Sequence, residues 1–135
     1  MKKHLFIFTI VMLACAILLC GCISLGPVPQ LAADNSLSSV PDEYTVKAGG
    51  RFAIALESNP TTGYTWQHVI GDTAILRYES LSFAAEDEEA TGSGGVETFF
   101  FTGAKKGQTT LTLTYARDWE GGETEETKTI IVTVE

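Results

Sequence analysis

The stretch RFAIALESNPTTGYTWQHVI, residues 51–70, alternates apolar and polar side chains on both sides of a short loop. Phe52, Ile54 and Leu56 recur at every second position before the loop, and Trp66 lies in a similar pattern after it. A period of two is typical of β-strands with one buried face, whereas a helix repeats every 3.6 residues. The stretch therefore predicts two strands joined by the loop SNPTTG.

The same alternation extends through the rest of the chain, and no helical periodicity of useful length interrupts it. The predicted strands cover residues 44–47, 51–57, 64–70, 75–81, 96–102, 111–115 and 127–134. Seven short strands in about 95 residues predict an all-β fold, a seven-stranded immunoglobulin-like antiparallel sandwich. An up-and-down barrel is the alternative.

The start of the chain has the features of an export signal. Lys2 and Lys3 precede the apolar run of residues 5–19, which is short for a membrane span. The following Leu-Cys-Gly-Cys resembles the lipobox of prokaryotic lipoproteins, which implies cleavage before Cys22 and a diacylglyceryl group on its sulfur. We therefore expect a lipoprotein signal peptide over residues 1–21 and an extracytoplasmic protein that is lipid-anchored to the cell membrane or envelope. An ordinary signal peptide or an uncleaved anchor is the alternative.

The segment after the signal is rich in proline and serine and lacks periodicity. This composition predicts a flexible tether over residues 22–40 and a single folded domain over residues 41–135. All three cysteines lie within the first 22 residues, so the domain has no disulfide and its stability must come from packing.

The charge and composition of the domain argue against several functions. Residues 41–135 contain seven Lys and Arg against sixteen Asp and Glu, and such an acidic surface repels nucleic acid. His68 is the domain's only histidine, and a lone histidine in a strand is more often structural than catalytic. The acidic run of residues 86–89 lacks the spacing of a calcium loop. We expect no catalytic site, no metal and no cofactor.

Successive connections in an antiparallel sandwich alternate between its two ends, which sorts the predicted loops. The odd connections are plain turns, whereas the even ones carry NPTTGY, AAEDEEATGSGG and ARDWEGGE, starting at residues 59, 84 and 116. All three unusual loops are therefore expected at one end of the domain. Such a group of loops on a rigid scaffold forms a binding surface.

The first and third of these loops contain residues suited to binding. Pro60 fixes its own φ, and Thr61 and Thr62 restrict χ1. Gly63 permits the positive φ that closes a turn. The proline and the two threonines make this loop stiff. Trp119 has no apolar neighbours in sequence, and a tryptophan at a loop tip either folds back or anchors a partner. The alternative for the first loop is a turn without a partner.

The motifs NPTTGY, GSGG and YARDW, in this order, resemble those of the chagasin family of cysteine-protease inhibitors. The resemblance implies an immunoglobulin-like domain that reversibly blocks the active-site cleft of a papain-like cysteine protease with three loops. The protease-binding residues that it implies are Asn59, Pro60, Thr61, Thr62, Gly63, Tyr64, Gly92, Gly94, Gly95, Arg117 and Trp119. We expect a monomer that is anchored to the membrane through the lipid on Cys22.

One residue departs from the family pattern, because Asp118 stands where the family's Arg-Pro-Trp motif has proline. The change removes a constraint on φ and adds a negative charge beside Trp119, so we expect altered strength or target range. A cell-envelope adhesion or scaffolding sandwich without protease binding is the alternative function.

Overall fold

The computed structural model describes residues 26–119 and 121–135. The predicted signal peptide, residues 1–21, and the predicted lipidation site at Cys22 lie outside the described residues. Within the described part of the chain, no helix is long and apolar enough to cross a membrane.

The described chain forms seven β-strands and two short 3-10 helices, Leu37–Ser39 and Pro60–Thr62. The strands are β1 (Glu43–Val46), β2 (Arg51–Ser58), β3 (Tyr64–Ile70), β4 (Leu76–Ala85), β5 (Gly95–Gly103), β6 (Gly107–Arg117) and β7 (Thr124–Val134). They form a four-stranded sheet in the order β1-β7-β6-β3 and a three-stranded sheet in the order β2-β5-β4. The prediction of an immunoglobulin-like sandwich is confirmed.

One strand pairing differs from a fully antiparallel sandwich. β1 runs parallel to β7, with Glu43 opposite Ile131 and Val46 opposite Val134. Parallel neighbours cannot be joined by a tight turn, so the first and last strands meet only after the chain has crossed both sheets. The remaining named strand pairs are antiparallel.

The core lies between the sheets and consists of the inward-facing rows that the alternation predicts. Fully buried large side chains come from both sheets: Phe52, Ile54, Leu56, Leu76, Phe99, Phe101, Leu111, Leu113, Ile130 and Val132. β5 is the central strand of its sheet, which explains its three consecutive phenylalanines. Phe99 and Phe101 face the core, while the half-buried Phe100 lies on the outer face near the Arg51 guanidinium.

Residues 29–40, here called the N-terminal strap, precede β1, and residues 29–35 lie along the free edge of β2. The Leu31 N–H donates to Ala53 O at 2.9 Å, and the Ala53 N–H donates to Pro29 O at 2.8 Å. Farther along, the Glu57 N–H donates to Asn35 O at 2.8 Å. The prediction of a flexible tether over residues 22–40 therefore needs correction for the strap, because the edge of β2 offers unpaired backbone groups that the strap satisfies.

The strap also adds side chains to the core. Ala32 is fully buried and Val40 is 1% exposed, and both belong to the main hydrophobic cluster. The folded unit thus begins at about residue 29 instead of residue 41.

His68 closes the gap between the edge strands β3 and β4. Its ring centroid lies 4.2 Å from that of Tyr78 and 5.7 Å from that of Phe99. Burial lowers the pKa of His68 below its usual 6.5, so the imidazole is neutral at pH 7.

Removing the strap should destabilise the domain. A chain starting at Pro41 loses the burial of Ala32 and Val40 and leaves the edge of β2 unpaired. We expect its free energy of unfolding to fall by at least about 2 kcal/mol relative to a chain starting at Gly26, as measured by urea denaturation. A chain starting at Pro29 keeps the strap and is the control. Equal midpoints for all three chains would contradict the packing described.

Lowering the pH from 7 to 5.5 should reduce stability through His68. The folded state holds this imidazole neutral, whereas the unfolded state takes up a proton below about pH 6.5. The contribution of His68 to the free energy of unfolding is therefore present above that pH and is lost as the pH falls towards the folded-state pKa of the imidazole. In urea titrations at both pH values, His68→Phe should lose less stability than the wild type. Equal losses would show that His68 does not contribute.

Candidate functional site

Three loops meet at one pole of the sandwich, here called the loop pole. Loop 1 is residues 59–63, loop 2 is residues 86–94 and loop 3 is residues 118–123. The pairing of Ser58 with Gly95 places loops 1 and 2 side by side. The pairing of Tyr64 with Arg117 does the same for loops 1 and 3. Loop 1 is therefore the central loop, and the expected gathering of the three loops at one end is observed.

Loop 1 is closed by its own hydrogen bonds. Asn59 Oδ1 accepts from N and Oγ1 of Thr61, at 3.3 and 2.5 Å. Asn59 O accepts from N and Oγ1 of Thr62, at 3.1 and 2.7 Å. Gly63 ends the turn with a φ of 83°, and its N–H donates to Pro60 O at 3.0 Å. The Thr61 hydroxyl thus bonds to the Asn59 side chain and the Thr62 hydroxyl to the Asn59 backbone, and the loop is stiff, as its residue types predict.

The core holds loop 1 from below through two aromatic side chains. The Asn59 N–H donates to the hydroxyl of Tyr115 at 3.2 Å. The indole Nε1 of Trp66 donates to Glu57 O at 2.8 Å, just before the loop begins. These support residues are not part of the predicted site. Tyr115 could have been recognised as a support residue from the sequence, because it continues the inward-facing row of Leu111 and Leu113 in β6.

Loop 2 lies against the base of loop 1. The Glu86 N–H donates to Gly94 O at 2.9 Å, which closes the loop, and Ser93 Oγ donates to Asp87 O at 2.7 Å. A Cβ at Gly94 would lie 3.3 Å from Ser58 O, so a side chain there would press on the neighbouring strand. Gly92 has a φ of 87° and is exposed.

Gly95 differs from the other predicted glycines because it is a buried residue of β5. A Cβ at this position would lie 2.3 Å from Ala84 O and 2.6 Å from Cζ of Phe83. The glycine is required for close strand packing and is not accessible to a partner. The prediction that Gly95 contacts a protease directly is therefore corrected to a packing role.

A buried polar pair lies beneath loops 1 and 2. Ser58 is 5% exposed and Glu97 is 4% exposed, and Ser58 Oγ donates to Glu97 Oε1. Since a buried carboxylate needs a hydrogen-bond donor, this pair ties the end of β2 to the start of β5. The pair could not be predicted from the sequence, because Glu97 occupies an ordinary inward position of β5.

Trp119 of loop 3 packs on the backbone of loop 1. A Cβ at Gly63 would lie 2.8 Å from Cζ3 of the Trp119 ring, so only glycine leaves room for the indole. The Gly122 N–H donates to Trp119 O at 2.8 Å and closes the loop behind the ring. Trp119 remains 53% exposed. One part of the ring therefore packs on loop 1, while the rest is accessible to a partner.

The Arg117 guanidinium lies between two aromatic rings. Its Cζ atom is 4.8 Å from the centroid of Tyr64 and 5.1 Å from that of Trp119. Cation–π contacts of this kind contribute about 0.5 to 2 kcal/mol each. Desolvation raises the pKa of the Tyr64 hydroxyl above its usual 10.0, so it stays protonated and donates to Glu123 Oε2 at 3.4 Å. Arg117 and Tyr64 thus position Trp119 from within the loop pole.

The predicted site residues fall into two groups. Exposed residues at the tips are Pro60, Thr61, Thr62, Gly92 and Trp119. Half-buried residues that support them are Asn59, Gly63, Tyr64, Gly94 and Arg117. Among the described residues no group of three or more acidic, histidine or cysteine side chains could hold a metal ion. Exposed loops gathered at one end of an immunoglobulin-like sandwich define a binding domain that acts through its loops.

Comparison with known proteins gives this binding domain a family. The model for the "Chagasin family peptidase inhibitor I42" matches residues 45–134. Chagasin from Trypanosoma cruzi is 37% identical over 82 residues, which cover 57% of this chain and 74% of chagasin. Amoebiasin-1 from Entamoeba histolytica is 28% identical over 108 residues, which cover 78% of this chain and 99% of that protein.

A solved structure supports the fold. The crystal structure of a cysteine protease inhibitor from Entamoeba histolytica superposes with a TM-score of 0.66 at 22% identity, covering 80% of this chain and 96% of the other. The chain belongs to the chagasin family of peptidase inhibitors. The resemblance of the three loop motifs to this family is therefore confirmed.

Replacing Arg117 should loosen Trp119. In a Trp66→Phe background, which leaves Trp119 as the only tryptophan, Arg117→Met removes the charge between the rings but keeps a long side chain. We expect stronger acrylamide quenching and lower fluorescence anisotropy of Trp119. Arg77→Met, at an exposed position of β4, is the matched control. Unchanged quenching in Arg117→Met would show that the guanidinium does not hold the indole.

Proposed function

We propose that the domain is a reversible inhibitor of papain-like cysteine proteases that blocks the active-site cleft with its loop pole. Membership of the chagasin family supports the inhibitory activity. The observation that carries the mechanism is the convergence of three loops with exposed tips at one pole, the central one closed by its own hydrogen bonds. The domain acts by binding and not by catalysis.

Loop 1 is proposed to cover the catalytic cysteine. Thr61 and Thr62 are exposed at its tip, and the turn that carries them is closed on the inside. Cleavage requires a substrate carbonyl to enter the oxyanion hole. The carbonyl oxygens of Asn59 and Pro60 accept hydrogen bonds that close the turn, so these bonds must break before the loop can adopt the extended backbone of a bound substrate. The internal bonds thus make loop 1 a poor substrate in a position where substrates bind.

Loops 2 and 3 are proposed to bind on the two sides of the catalytic centre. Gly92 and Gly94 of loop 2 allow a protease backbone to come close, because neither carries a side chain. Trp119 of loop 3 offers the face of a large aromatic ring, and a central tryptophan is typically worth about 2 to 4 kcal/mol when truncated. Arg117, Tyr64 and Gly63 keep that ring in one position.

The stiffness of the loop pole is expected to increase affinity. Binding costs about 0.5 to 1.5 kcal/mol for each rotamer-rich side chain that becomes immobilised. The hydroxyls of Thr61 and Thr62 are already bonded to Asn59, so much of this cost falls on folding and not on association.

We also propose that the mature protein is held on the outer side of a cell membrane by lipid on Cys22. The motif Leu19-Cys20-Gly21-Cys22 after an apolar run supports this. The absence of cysteine from residues 23–135 leaves Cys22 as the single thiol of the mature chain.

A charge placed at the tip of loop 1 should abolish tight binding. Thr62→Glu puts a carboxylate where the loop meets the catalytic centre. The variant also removes the hydroxyl that bonds to Asn59 O. For a chain of residues 26–135 acting on papain, we expect the inhibition constant to rise at least about 100-fold, or about 2.8 kcal/mol.

Thr73→Glu is the matched control, since Thr73 is an exposed threonine in the turn before β4, at the opposite pole. It should inhibit within about twofold of the wild type, and circular dichroism should show both variants folded. A folded Thr62→Glu variant that inhibits as well as the wild type would contradict the role of loop 1. A wild-type domain without inhibition at micromolar concentration would contradict the proposed function itself.

A further inference from the structure

We propose that the membrane-anchored protein holds its loop pole away from the lipid surface and captures proteases arriving from the bulk solution. This inference rests on the proposed lipid anchor at Cys22 and on the proposed inhibition by the loop pole. Three features of the chain set the orientation: the place where the strap begins, the length of the tether before it, and the distribution of charge.

The strap begins at the pole opposite the loops, here called the exit pole. Residues 26–29 lie beside Gly49 and Arg51, at the turn between β1 and β2. From there the strap runs parallel to β2, with Gln30 bridged to Ala53 and Asn35 bonded to Glu57 near the loop pole. Because these hydrogen bonds fix the strap to the domain, a tether from Cys22 is at most the segment that precedes residue 29.

The tether is shorter than the domain. Six residues separate Cys22 from Pro29, and the seven Cα-to-Cα steps between them reach at most about 25 Å when fully extended. β6 alone, with its 11 residues, is about 34 Å long and spans the distance between the poles. The anchored domain can therefore tilt, but it cannot invert to place the loop pole on the membrane without entering the lipid.

The charges of the two poles favour the same orientation. Exposed charged residues of the exit pole are Lys47, Lys105 and Lys106, with Asp72 and Glu135. Exposed charged residues of the loop pole are Glu86, Asp87, Glu88, Glu89, Asp118 and Glu123. An anionic lipid surface attracts the first set and repels the second. Charge thus aligns the domain within the range that the tether allows.

This orientation selects the kind of protease that can be bound. A soluble papain-like enzyme has free access to loops that point away from the lipid. An enzyme whose cleft opens towards the same membrane surface does not meet them. The anchored inhibitor is therefore suited to proteases that approach the cell from outside.

Energy transfer from two dye positions tests the orientation. Residues 23–135 contain no cysteine, so Thr73→Cys at the exit pole and Thr91→Cys in loop 2 each give one labelling site once Cys22 carries lipid. Both replaced threonines are exposed. Each full-length lipoprotein is inserted into phosphatidylethanolamine–phosphatidylglycerol vesicles that contain a headgroup-linked acceptor. We expect severalfold greater transfer from residue 73 than from residue 91, in neutral phosphatidylcholine vesicles as well.

The outcomes separate the orientation from the proposals that it rests on. Equal transfer, or greater transfer from residue 91, would overturn the orientation while leaving papain inhibition intact. Mass spectrometry that finds no lipid on Cys22 would overturn both the anchor and the orientation. Vesicle-bound wild type should inhibit soluble papain within about threefold of the lipid-free domain. Much weaker inhibition on vesicles alone would show that the loops face the lipid.

Discussion

A stack of aromatic rings and one guanidinium connects the core of the sandwich to its loops. The rings of Trp66 and Tyr115 lie 4.8 Å apart, those of Tyr115 and Tyr64 lie 5.4 Å apart, and Arg117 then joins Tyr64 to Trp119. Each member occupies an inward position of β3 or β6 or the start of loop 3. The positions of loops 1 and 3 therefore depend on the register between these two strands.

This stack bears on the departure of Asp118 from the family motif. Proline at that position would restrict loop 3 through its own φ. Here Trp119 is instead held by contacts, with the Arg117 guanidinium on one side and the backbone of Gly63 close to its ring. Asp118 itself is exposed, so its carboxylate adds charge to the loop pole without burial.

The predictability of each part depends on whether its cause is local. The alternation in β2 and β3 and the stiffness of loop 1 follow from neighbouring residues, and both could be predicted. The strap could not, because its order comes from the unpaired edge of β2 and not from its own composition. The packing role of Gly95 was likewise hidden, since it depends on how closely β4 approaches. The motifs predicted three loops that the structure gathers at one pole, but the division between exposed tips and supporting residues required coordinates.

The parallel pairing of β1 with β7 has a consequence for how the chain folds. Glu43 pairs with Ile131, and nearly the whole sequence of the domain lies between them. Forming this contact therefore carries a large cost in loop-closure entropy. Contacts between residues so far apart in the sequence slow folding, because the entropy of loop closure is lost before they form. During synthesis, β1 also has no strand partner until β7 has been made. A nascent or truncated chain therefore lacks a complete four-stranded sheet, and its unpaired β1 is free to associate with other chains.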